Sequence, residues 1–125
     1  MIKLQKLIQR KAIQSEKHQR MAEQMQKTIA DLKVLANKLK LEISADEART
    51  QNYDPNHIAY PTFAKAAVQR RNNLLNSIDE LTIQLDNTKN FIRETDEEIK
   101  DAMLLVEQDR IPERADHVGV AVQLS

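Results

Sequence analysis

Residues 50–62 read TQNYDPNHIAYPT, and they hold two of the three prolines in a chain of 125 residues. Outward from this stretch the helix breakers vanish. Residues 1–53 and 62–110 contain neither Gly nor Pro, and the single glycine is Gly119. Both arms are rich in Leu, Lys, Glu, Gln, Ala and Arg, which favour helix because their straight side chains lose little rotamer freedom there. With only two Phe, two Tyr and no Trp, a thick globular core is not expected. The sequence predicts an all-α fold of two long helices. Helix one should cover about 2–52, a turn about 53–60, and helix two about 61–110, with Pro61 at its first position. Pro112 and Gly119 should end the second helix near Arg110 and leave 111–125 as a flexible tail.

Helices this long need a partner, and a sustained three-four spacing of apolar residues supplies the reason. In the first arm it runs Leu4, Ile8, Lys11, Ser15, His18, Ala22, Met25, Ile29, Leu32, Ala36, Leu39, Ile43. In the second it runs Ala67, Arg71, Leu74, Ile78, Leu81, Leu85, Thr88, Ile92, Thr95, Ile99, Ala102, Val106. A strict heptad repeat of this kind implies left-handed supercoiling against another helix. If the chain folds back near Pro55, positions equidistant from it should pair. Ile43 then meets Ala67, Met25 meets Leu85, and the polar interruption Ser15 meets Thr95. This predicts an antiparallel coiled-coil hairpin.

The charge distribution favours the same pairing. The chain is neutral overall, with 19 basic and 19 acidic residues. Residues 1–49 nevertheless carry eleven Lys/Arg against six Asp/Glu, and residues 50–125 carry eight against thirteen. Exposed ion pairs contribute only about 0.2–1 kcal/mol each, so such an imbalance governs orientation and register more than stability.

Little in the sequence could carry chemistry. There is no Cys, hence no thiolate nucleophile or thiolate metal site, and no phosphate-binding loop or HExxH. His18, His57 and His117 are far apart in sequence. His18 falls on the predicted seam, where a tolerated polar core residue is expected, and the acidic run at 95–101 reads as a solvated face. No enzyme, cofactor or metal is expected. The basic N-terminal arm lacks interleaved aromatics for base stacking, so nucleic acid is not an expected partner. No apolar run approaches the roughly 18 residues of a membrane span. A cytoplasmic protein is expected, at most peripheral at the inner face of the membrane, and a monomer or weak dimer.

Surface recognition is the remaining possibility. Tyr53, Tyr60 and Phe63 are three of the four aromatics and lie within eleven residues. Tyr60, Phe63, Ala64 and Ala67, with Leu35 and Leu39 across the hairpin, are expected to gather at its closed end. They would serve as a partner anchor, as a plug of the coiled coil, or as both.

The block AYPTFAKAAVQRRNNLLNSIDEL at 59–81, preceded by DPNH at 54–57, resembles the FliJ family of flagellar type III export proteins, in the form found in alphaproteobacteria. The residues that carry the resemblance are Asp54, Pro55, Ala59, Tyr60, Pro61, Phe63, Ala64, Lys65, Ala66, Ala67, Gln69, Arg70, Arg71, Asn73 and Leu74. Elsewhere it extends over roughly 1–110 only as length, charge and heptad pattern. The resemblance implies a coiled-coil stalk that associates with the hexameric export ATPase and the cytoplasmic domain of the export gate, and that handles export chaperones. It also implies a gate-binding face that includes Leu35, Tyr60 and Phe63, while the Ala- and Arg-rich block itself suggests a partner surface around Arg70 and Arg71. The candidate partner-binding residues are thus Leu35, Tyr60, Phe63, Ala67, Arg70, Arg71 and Leu74. Positions that are aromatic in better-studied members are Lys38 and Glu42 here. The alternative reading is a structural coiled-coil scaffold that oligomerises through its seams.

Overall fold

A computed structural model describes residues 2–124, with side chains described for 2–109. Among the described residues the regular structure is entirely helical. Helix α1 spans Ile2–Thr50 and helix α2 spans Thr62–Leu124, and the two pack against each other. The bounds of α2 pass the end expected near Arg110, and the flexible tail expected over 111–125 lies outside the residues whose side chains are described. No described helix is long and apolar enough to cross a membrane. The chain divides into two compact units, Ala22–Asn87 and the pair of segments Met1–Met21 with Thr88–Ser125.

In the unit Ala22–Asn87 the connection is built from backbone hydrogen bonds that local side chains complete. α1 ends where Gln51 adopts φ 57°, a left-handed conformation that breaks the helix. The Asn52 N–H then donates back to the Glu47 carbonyl at 3.2 Å. This is the Schellman arrangement, with glutamine in the place that glycine usually takes. The Asn56 N–H donates to Asp54 Oδ1 at 3.0 Å, and the His57 N–H donates to the Asp54 carbonyl at 3.0 Å. Pro55 thus occupies the second position of a tight turn, where its fixed φ is suited. A further turn follows, in which the Tyr60 N–H donates to the His57 carbonyl at 3.0 Å. The Ala59 N–H donates to His57 Nδ1 at 3.0 Å, so that imidazole carries its hydrogen on Nε2. Pro61 caps α2 rather than opening it, since its carbonyl accepts the Lys65 N–H at 2.9 Å and the helix begins at Thr62.

Between these ends the seam predicted from spacing is the line that burial follows. Ala22, Met25, Ile29, Leu32, Ala36, Leu39 and Ile43 of α1 are all buried or half-buried, as are Ala67, Arg71, Leu74, Ile78, Leu81 and Leu85 of α2. Leu39, Ile43 and Ala67 form the core cluster, with Val68 and Leu74 packed against it. Small residues let the helices approach closely. Ala64 has no exposed surface, and Ala36 and Ala67 are nearly as covered.

The other unit follows the same spacing with different chemistry. Ser15 and Thr95 are both buried on the seam. Ser15 Oγ donates to Asp96 Oδ1 at 2.6 Å and accepts from Gln19 Nε2 at 3.2 Å, so the buried Ser15 hydroxyl is hydrogen-bonded rather than orphaned. Lys11 pairs with Glu98 from α1 to α2. Arg20 instead pairs with Glu16 of its own helix. His18 is half-buried and stacks on Phe91, with ring centroids 4.2 Å apart and planes at 31°. Its Nδ1 lies 2.8 Å from the Gln14 carbonyl, to which it donates.

Candidate partner-binding surface

All seven residues expected at a binding face lie in the unit Ala22–Asn87, and the structure sorts them into four groups. Leu35, Arg70 and Leu74 come together, lining a groove with Lys38, Leu39 and Glu42. Heptad geometry explains the grouping. Leu35, Glu42 and Arg70 each immediately precede a seam residue, which puts them on one flank of it. Leu35 stays 49% exposed and Arg70 is exposed, while Leu74 is half-buried against the core.

Arg71 faces a second groove, lined also by Lys40, Ile43, Ser44, Glu47, Val68 and Asn72. Its stem lies on the seam as expected, but its Nε is buried with no hydrogen-bond partner. Such an atom forfeits its hydration without compensation, which costs on the order of 1–3 kcal/mol.

Tyr60 and Ala67 are buried. Ala67 belongs to the core cluster. Tyr60 is only 5% exposed, and its hydroxyl donates to Glu47 Oε2 at 3.0 Å. It closes the unit beneath the turn, which is the plug role. Burial, the hydrogen bond to Glu47, and the negative charges of Glu47 and Asp46 together hold its phenol above the ordinary tyrosine pKa. The folded protein therefore keeps the phenolic proton longer than the unfolded chain does. The contact's contribution is complete below the ordinary tyrosine value and is lost as pH rises from there toward the folded value. Tyr60→Phe should cost about 1 kcal/mol at neutral pH for the lost hydrogen bond and should flatten the fall in melting temperature at alkaline pH. Thermal unfolding followed by circular dichroism across that range checks both.

Phe63 stands apart, 65% exposed and lining neither groove. The expected gathering of Tyr60, Phe63 and Leu35 into one apolar cluster is therefore divided between a buried plug, an open groove and an exposed ring. Sequence reasoning did not count Lys38 and Glu42 among the site residues, although their positions beside Leu35 in the heptad were readable. It also passed over Val34 and Leu41, apolar residues one heptad apart and away from the seam, which are 69% and 63% exposed.

The first groove has an apolar floor of Leu35, Leu39 and Leu74 and a charged rim of Lys38, Glu42 and Arg70. That is the chemistry of a seat for an amphipathic helix, in which apolar anchors enter the floor and polar groups meet the rim. Among the described residues no group of three His, Asp or Glu side chains is placed to hold a metal ion. Comparison of the chain with family models, curated proteins and solved structures gives no match.

Proposed function

We propose that this protein is a non-enzymatic component of a flagellar type III export apparatus, a coiled-coil stalk that links the export ATPase hexamer to the cytoplasmic domain of the export gate and assists chaperone handling. The observation that carries the reading is the block from Asp54 to Leu74, whose residues resemble the FliJ family and supply Arg70 and Leu74 to the open groove. The fold proposed with it is an antiparallel coiled-coil hairpin. In support, Lys11 meets Glu98, Ser15 meets Asp96, His18 meets Phe91 and Ile43 clusters with Ala67, all pairs nearly equidistant from Pro55. A stalk must hold position without bending, and arms free of Gly and Pro from 1–53 and 62–110 suit that demand.

Capture of purified export ATPase and of the gate's cytoplasmic domain by the tagged full chain tests the reading. The wild-type chain should retain both. Phe63→Ala and Leu35→Asp should weaken capture of the gate domain about tenfold or more while leaving the melting temperature nearly unchanged, because both side chains are exposed. Retention of neither partner, together with normal swimming of a deletion strain, would overturn it.

A further inference from the structure

A second heptad stripe runs along α1 on the side turned away from its seam. Asp31, Val34, Lys38, Leu41, Ala45 and Ala48 recur at alternating steps of three and four, and all six are exposed. Val34 and Leu41 are its apolar centre, and Ala45 and Ala48 leave room for close approach by another helix. Glu42 and Arg49 border the stripe on one flank.

The charges along this face are antisymmetric. Counting outward from Lys40, two residues away stand Lys38 and Glu42, and nine residues away stand Asp31 and Arg49. A two-fold axis at residue 40 that brings two copies together in antiparallel fashion places Lys38 of each against Glu42 of the other. The same operation places Asp31 of each against Arg49 of the other. A parallel pairing would set like against like at all four positions. Within the chain these charges are largely uncommitted. Asp31, Lys38 and Glu42 make no ion pair among the described residues, and Arg49 makes only an exposed one with Asp46 of its own helix, at 3.0 Å.

We infer that the outward face of α1 between Asp31 and Arg49 is a self-complementary interface through which two copies of this chain associate in antiparallel fashion. The inference stands on the spacing, exposure and charge order of this face and is independent of the export reading. A self-complementary patch is what a two-fold dimer requires, since each contact then occurs twice. Leu35, Lys38 and Glu42 also line the groove described above, so a second copy and a groove ligand compete for the same side chains.

Sedimentation of the full chain over a range of concentrations at low salt tests this. The wild type should show a reversible monomer–dimer equilibrium that weakens as salt rises. Lys38→Glu and Glu42→Lys each convert two opposite-charge contacts per dimer into like-charge ones, and each should weaken association by about tenfold or more. An equimolar mixture of these two variants should recover dimers, because each then supplies the charge the other lacks. The double variant carrying both changes should dimerise as the wild type does. Leu41→Asp, exposed in the monomer, should abolish association with helicity intact, and it serves as the test if a charge variant fails to fold. The inference is overturned by a wild type that stays monomeric, by single variants that dimerise undiminished, by a mixture that stays monomeric, or by dimers that survive Leu41→Asp.

Discussion

Ile43→Ala should destabilise the protein by about 2–5 kcal/mol, enough to remove much or all of the margin of a small two-helix protein. Ile43 is 8% exposed and lies in a core cluster with Leu39 and Ala67. Truncation removes three methyl or methylene groups from water-excluded contact, and a two-stranded seam has no second layer of side chains to close over the gap. The loss should therefore appear as reduced helicity at ambient temperature in far-UV circular dichroism and as a lowered midpoint in urea. An equal truncation of Ile92 in the other unit should cost less. Ile92 is only half-buried, and its seam neighbours are Thr88 and Thr95. If Ile43→Ala leaves the urea midpoint in place, the seam is not what holds these helices.

Arg71→Leu should act in the opposite direction and raise stability by about 1–3 kcal/mol. Arg71 occupies a seam position beside the core, and its Nε is buried without a partner. Leucine keeps the packing of the stem and removes the orphaned donor. For a protein of this size such a gain corresponds to several degrees in melting temperature. Arg71→Met, which retains an unbranched stem, should show part of the gain and separates packing from charge. Under the export reading the same substitution removes a cation from the second groove, so a variant that melts higher yet captures its partner less well would mark Arg71 as a residue held for binding at the expense of stability. A fall in melting temperature for Arg71→Leu would show that the guanidinium is satisfied in solution.

The seam was legible because its signal is purely local. Apolar residues three and four apart must share a face of any helix they occupy, and Leu32, Leu39, Ile78 and Leu85 could hardly be placed elsewhere. The turn was legible for a similar reason, since Pro55 after Asp54 fixes a backbone angle in the sequence itself. Its details were less so. A left-handed Gln51 has no signature in a residue type that ordinarily avoids that conformation. The candidate surface was legible only in part. Tyr60 and Phe63 are three residues apart and look alike as anchors, yet one is buried on Glu47 and the other is open to solvent. Heptad phase separates them. Tyr60 falls in line with Ala64 and Ala67, while Phe63 sits one step before a seam position and so beside the contact.

What the sequence by itself determined is the helical state of both arms, the place where the two helices are joined, and which edge of each helix is apolar, because these follow from backbone propensity and periodicity residue by residue. Only the tertiary structure decided that Leu35, Lys38, Glu42, Arg70 and Leu74 share one groove, that Arg71 carries an unpartnered buried nitrogen, and that Tyr60 is a plug. Those outcomes depend on the axial register between two helices distant in the chain. Register is set by the summed fit of many side chains across the seam, which no single stretch of sequence contains.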